Sequence, residues 1–202
     1  MIRIKMCGLK RQEDITAVNE LLPDYIGFVF ASRSKRYISP ENALLLKSRL
    51  NDKIKAVGVF VDEKPEAVAQ TVNSGAIDIV QLHGREDDAY IGLLRSMTDS
   101  IIIKAIRIRS ERDIEEAENS IADMILLDAG AGDGTAFDWE IVREIKRPYF
   151  LAGGLTPQNV GEAVRRLHPY GVDVSSGLEM QGIKDKKKMA EFISAVRKED
   201  TL

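Results

Sequence analysis

The chain has 202 residues, 44% of them hydrophobic and 30% charged, with a formal net charge of −3. That length suits one domain, residues 1–202, with a sizeable core, and the mildly acidic balance speaks against nucleic acid or an anionic membrane as partner. A lone cysteine excludes an internal disulfide and points to a reducing, cytoplasmic setting; the chain enters its first strand without a signal-peptide core, and no apolar run reaches membrane-spanning length.

Short β-rich runs alternate with amphipathic windows eight times. The sequence predicts strands at Ile2–Met6, Tyr25–Phe30, Lys55–Val61, Asp78–Leu82, Ile101–Ile106, Asp123–Leu127, Tyr149–Ala152 and Gly171–Val174. Between them, apolar residues recur at three- and four-residue spacing: Ile15, Val18, Leu21 and Leu22 form one such face, Val160, Ala163, Val164 and Leu167 another, and Met189, Phe192, Ile193 and Val196 the last. Ser39-Pro40 and Thr156-Pro157 each place a capping hydroxyl before a first-turn proline, and Ser110 with Asp113 resembles a capping box. The basic run Lys184 to Lys188 reads as the solvated start of the final helix.

Strands and helices alternating at roughly 25-residue intervals call for a parallel sheet with right-handed crossovers. Eight units close into a (β/α)8 barrel near the small end of its size range. A doubly wound open sheet is the alternative, but the dinucleotide form wants G-x-G-x-x-G after its first strand, and here that strand runs into Cys7-Gly8-Leu9.

In such a barrel, chemistry sits where strands end at their C-termini. Tyr149–Ala152 stops at Gly153 and Gly154, and Gly171–Val174 stops at Ser175, Ser176 and Gly177. Tandem small-residue turns opening onto helix starts offer free N–H groups to a phosphate; taken singly, each is also an ordinary tight turn. Cys7 ends the first strand ahead of a helix, where a thiolate gains stabilisation and can act as base, or where a thiol is simply a small buried hydrophobe. Asp128 follows four apolar residues; it either holds a proton as a general acid or caps the next loop. Arg36, in a basic loop, suits a carboxylate if it is not merely solvated. His83 faces the same mouth, in a catalytic or a structural role, and the same level carries Asp62, Arg107 and Asp173. His168, before Pro169, fits a surface role at a helix end. Two separated histidines give no metal-ligand spacing, so no metal is expected. These residues describe a barrel that grips a phosphate on one side and carries an acid and a base opposite, without naming a substrate.

The motifs Lys5-Met-Cys-Gly8, Ser34-Lys-Arg-Tyr-Ile-Ser39, Val59-Phe-Val61, Val80-Gln-Leu-His-Gly84, Leu126-Leu-Asp128, Phe137-Asp-Trp139, Ala152-Gly-Gly-Leu155 and Val172-Asp-Val-Ser-Ser-Gly-Leu-Glu179 occur in that order. Together they closely resemble the phosphoribosylanthranilate isomerases of tryptophan biosynthesis, nearly end to end. The resemblance implies a cofactor-free Amadori rearrangement of N-(5-phosphoribosyl)anthranilate, with Asp128 as general acid, Cys7 as general base and Arg36 on the anthranilate carboxylate. It also implies Asp173 lining the site near the sugar, and the Gly153–Gly154 and Ser175–Ser176–Gly177 backbones on the phosphate; His83, from its place at a strand end, is counted with the substrate-binding residues, and a monomer or homodimer is expected. Two stretches depart from the family pattern. The loop Ala129 to Ala136 is shorter and carries Asp133 among its glycines, and Gln181 stands where proline is common. The rivals are the histidine-pathway sugar isomerase, whose relatives carry a carboxylate at the Cys7 position and an internal repeat, a metal-dependent epimerase with clustered histidines, and a silent phosphate-binding barrel.

Overall fold

The computed structural model describes residues 1–128, 142 and 144–200. Eight parallel strands form a closed barrel in chain order: β1 (Arg3–Cys7), β2 (Tyr25–Val29), β3 (Lys55–Phe60), β4 (Ile79–Leu82), β5 (Ile101–Arg107), β6 (Met124–Asp128), β7 (Tyr149–Ala152) and β8 (Gly171–Val174). The ring is sealed by β1 pairing with β8, Lys5 lying opposite Asp173. The strands agree with the sequence pattern to within a residue at each end. β1 and β6 begin and end one residue later than expected, which brings Cys7 and Asp128 into the ladder itself.

Seven α-helices occur among the described residues: α1 (Gln12–Leu21), α2 (Pro40–Lys47), α3 (Pro65–Asn73), α4 (Asp88–Arg95), α5 (Glu111–Asn119), α6 (Val160–Leu167) and α7 (Lys186–Glu199). Alternation along each strand splits the apolar residues into two cores. Ile4, Met6, Ile26, Phe28, Val80, Ile102, Ile125, Leu127 and Leu151 face outward and pack beneath the helices. Val57, Ile79, Ile103, Ala105, Leu126, Phe150 and Ala152 fill the barrel, where Phe150 meets Tyr25 edge-on at 5.5 Å. At about 25 cal/mol per Å² of apolar surface, these two layers supply most of the drive to close the barrel.

The helix signals are met with two exceptions. The Ser39 hydroxyl caps α2 by accepting from Asn42 N–H, with Pro40 in the first turn. The Asp113 carboxylate accepts from the Arg109 and Ser110 N–H groups at the start of α5. The faces of α6 and α7 are buried as expected, Ile193 partly, and His168 closes α6 as an exposed left-handed cap. Thr156-Pro157, however, does not open α6. The chain makes a turn in which the Thr156 carbonyl accepts from Asn159 and Val160, and the helix proper begins at Val160. Leu22 drops out of the α1 face because it ends that helix in the left-handed region, φ 51°, and is exposed.

After β8 the chain turns through a 3₁₀ helix, Ser176–Leu178, into a two-stranded hairpin, β9 (Glu179–Met180) and β10 (Ile183–Lys184), which periodicity did not reveal. Its turn holds Gln181 and Gly182 at φ 52° and 79°. Both signs suit a primed hairpin turn, a conformation closed to proline with φ fixed near −65°. The hairpin also corrects the reading of the basic run. Lys184 is buried on β10, and the final helix starts only at Lys186, capped by the Asp185 carboxylate. No described helix is long and apolar enough to cross a membrane.

Candidate active site

A cavity of about 270 Å³ opens at the C-terminal ends of the strands. Of the ten candidate residues, nine line it: Cys7, Arg36, His83, Asp128, Gly153, Gly154, Asp173, Ser175 and Ser176. Gly177 does not. It packs behind the site, where a Cβ would lie 2.0 Å from the Leu155 carbonyl oxygen, so its lack of a side chain lets the turns after β7 and β8 touch. Gly153 and Gly154 adopt φ of 97° and 64°, open to glycine at no cost. The first bond of the 3₁₀ turn runs from Leu178 N–H to the Ser175 carbonyl, leaving the earlier N–H groups of Ser176 and Gly177 for other partners. Asp62 and Arg107 do not line the cavity; Asp62 instead accepts from Arg85 N–H.

Cys7 is 7% exposed, with its thiol against Gly27 of β2; a Cβ there would sit 2.6 Å from Sγ. The expected helix N-terminus is not what surrounds it. α1 begins five residues later, and the Gly8 and Leu9 N–H groups are spent on the Gly27 carbonyl. Burial pushes the thiol up from its ordinary value, while the Lys5 and Lys184 ammonium groups pull it the other way. Lys5 is completely buried and donates to Asp173 Oδ1 at 2.9 Å. Burial alone would lower Lys5, but Asp173 and Cys7 outweigh it, and the ammonium is held above its usual value.

Across the cavity, Asp128 Oδ2 lies 3.2 Å from His83 Nε2, and His83 Nδ1 lies 3.0 Å from Gln81 Nε2. A Gln81 amide that donates to Nδ1 requires the neutral imidazole to hold its proton on Nε2, towards Asp128. Gln81 is 1% exposed, and its Oε1 has no partner among the described residues. Strand alternation was the signal for both second-rank residues. Gln81 on β4 stands two before His83, the residue that follows the strand, and Lys5 two before Cys7 on β1, so each pair shares the inward face.

Arg36 is already gripped. Its Nε donates to Glu179 Oε1 at 2.6 Å and its Nη2 to Oε2 at 3.0 Å. Glu179, with Lys184 also donating to it, is depressed to about 2; burial alone would have raised it. The loop Ala129 to Ala136 with Asp133, and the Phe137-Asp-Trp139 motif, lie outside the described residues. Another cavity, of about 390 Å³, is lined by Glu86, Asp88, Lys104 and Glu116 among others; there Lys104 is neutralised by Glu86 at 3.2 Å.

Fold and site together define a (β/α)8-barrel protein with a thiol, a His-paired carboxylate and an arginine converging on one mouth, beside glycine turns after β7 and β8. The sequence model of N-(5'phosphoribosyl)anthranilate (PRA) isomerases matches residues 4–195, and the chain belongs to that family. It is 44% identical over 202 residues to the N-(5'-phosphoribosyl)anthranilate isomerase of Endomicrobium trichonymphae, covering 98% of this chain and 99% of that one. Among solved structures, the phosphoribosyl anthranilate isomerase of Thermotoga maritima superposes with a TM-score of 0.90 at 38% identity, covering 98% of this chain and 100% of that one. A phosphoribosyl anthranilate isomerase in complex with reduced 1-(o-carboxyphenylamino)-1-deoxyribulose 5-phosphate superposes with a TM-score of 0.88, also at 38% identity and with the same coverage.

Proposed function

We propose that this isomerase converts N-(5-phosphoribosyl)anthranilate to 1-(2-carboxyphenylamino)-1-deoxyribulose 5-phosphate in tryptophan biosynthesis, without cofactor, in the cytoplasm, using Asp128 as acid and Cys7 as base. The observation that carries this is the placing of the two groups on β1 and β6 around one cavity, with Arg36 and the glycine turns at its rim. Asp128 protonates the ribose ring oxygen, the C1–O bond breaks, and the aniline nitrogen's lone pair forms the C1=N bond of a Schiff base. Cys7 then takes the C2 proton, and the electrons left behind neutralise the iminium as an enolamine. Loss of the C2 hydroxyl proton and protonation at C1 give the ketone, with no net change in protons.

The surroundings suit each role. Once Asp128 has given up its proton, His83 Nε2–H is in place to donate to the carboxylate. Burial, with the Asp173 carboxylate beside it, opposes formation of the Cys7 thiolate and prevails, while the Lys5 and Lys184 cations reduce that cost in part. The substrate phosphate takes the N–H groups of the Gly153–Gly154 and Ser175–Ser176–Gly177 turns, Asp173 and His83 flank the sugar, and Arg36 receives the anthranilate carboxylate.

The test follows anthranilate fluorescence with freshly made substrate. Positioned proton transfer contributes about 10²–10⁴-fold, so Asp128→Asn and Cys7→Ser each lose at least about 10²-fold in kcat. A substrate presented with its ring already open restores Asp128→Asn substantially and Cys7→Ser hardly at all. Equal restoration of both, or of Cys7→Ser alone, refutes the assignment of acid and base.

A further inference from the structure

The hairpin after the 3₁₀ turn delivers Glu179 and Lys184 to the rim, and Glu179 has no part in the proton transfers above. β9 and β10 pair Glu179 with Lys184 directly across the strands. Lys184 Nζ donates to Glu179 Oε1 at 2.8 Å and to the Ser175 carbonyl at 2.9 Å, and lies 3.3 Å from Ser175 Oγ; its side chain is 3% exposed. Glu179 in turn closes both oxygens on Arg36. A two-stranded hairpin this short is marginal alone. Here it is pinned at both ends, by Lys184 to the turn after β8 and by Glu179 to the loop after β2.

A guanidinium presents five N–H groups in a rigid fork, with room for a carboxylate on each of two edges. Glu179 fills the Nε–Nη2 edge, which leaves the Nη1–Nη2 edge of a cavity-lining side chain for a second carboxylate. The charges agree. Arg36 and Glu179 cancel, and Lys184 restores one positive charge to the trio. A salt bridge that merely silenced Arg36 would need no buried lysine beside it, since taking an ammonium out of water costs several kcal/mol.

Resting on the proposed function, we propose that Glu179 is a positioning residue for the substrate carboxylate. It locks the Arg36 fork so that the Nη1–Nη2 edge faces the cavity, and Lys184 ties that fork to Ser175 of the phosphate turn. The two anion sites are thereby set at one separation, which selects substrates carrying a carboxylate at that distance from the phosphate.

The test rests on opposite signs. Glu179→Gln raises the charge of the trio from +1 to +2. If Glu179 acted only as a nearby negative charge, its loss would strengthen anion capture and lower KM. Positioning demands the reverse. The expected result is an increase of about tenfold in KM for phosphoribosylanthranilate, with kcat within about threefold. The des-carboxy analogue, phosphoribosylaniline, keeps its KM, and inorganic phosphate inhibits as before. Glu179→Ala raises the KM for the carboxylated substrate at least as far, whereas Lys184→Met weakens both carboxylate and phosphate capture. A lowered or unchanged KM in Glu179→Gln overturns the proposal. So does an equal loss for both substrates, or a loss of phosphate inhibition in that variant, because either means that Glu179 merely holds the hairpin together. If the wild-type chain does not convert phosphoribosylanthranilate, the proposed function fails separately. Binding of 2-aminobenzoate against aniline then still reads whether Glu179→Gln weakens carboxylate capture, and no weakening overturns the proposal.

Discussion

Lys5→Met removes the ammonium from inside the barrel and keeps a side chain of similar length. Lys5 is fully buried, and the Asp173 side chain is 9% exposed with the ammonium 2.9 Å away, so the carboxylate is left in a nearly dry site without its partner. Breaking such a pair from one side costs about 3–5 kcal/mol. A chain of about this size loses roughly 2–4 °C of Tm per kcal/mol, which amounts to roughly 6–20 °C by calorimetry. Asp173→Asn, which strands the ammonium instead, falls in the same range. The double variant loses much less than the sum of the two, since neither charge is then left alone. The sign of the pH dependence follows from the direction of the shift. Lys5 is raised above its ordinary 10.5, so its contribution is fully present below that value and fades only as pH climbs through the higher folded value. A second readout tests the link to Cys7. Without the Lys5 cation the thiol ionises less readily, so the alkylation rate rises at higher pH than in the wild type. Singles costing under about 1 kcal/mol each, or adding simply in the double, refute the view that burial makes this pair obligatory.

Glu179 is depressed from its ordinary 4.5 to about 2, so its contribution to stability is present above the ordinary value and lost as pH falls through that window. Urea midpoints measured across it show a shallower acid limb in Glu179→Gln. Gly27→Ala places a Cβ 2.6 Å from Cys7 Sγ and 3.1 Å from its Cα. The base must shift, and kcat falls about 10–100-fold while inhibition by inorganic phosphate is unchanged. Among the described residues no group of three or more His, Cys, Asp or Glu side chains gathers as a metal site. Under the proposed cofactor-free mechanism activity survives dialysis against a strong chelator, and a loss restored by a divalent ion contradicts that proposal.

What the sequence by itself determined was what short-range pattern controls. Eight apolar runs at near-regular spacing specify strands that must be buried on both faces, and a parallel ring beneath helices is how such strands satisfy their backbones. Cys7 and Asp128 were legible as residues of the barrel mouth because each ends one of those runs, where the barrel opens. Ser39 and Asp113 were legible as caps because their bonds reach only to neighbours in the chain. Tertiary structure alone decided the partner of each charge. Lys5 meets Asp173 only because ring closure sets β1 beside β8, and Arg36 meets Glu179 across 143 positions of chain. Lys184 stands in a basic run indistinguishable by composition from a solvated helix start, yet the hairpin turns it inward while Lys186 and Lys187 stay exposed. Likewise the local signals at Thr156-Pro157 and Leu22 yielded to where the chain had to go next. A hydrophobic period survives any arrangement that buries it, whereas a charge acquires its role from whichever opposite charge the closed barrel brings within about 3 Å, and spacing along the chain carries no record of that distance.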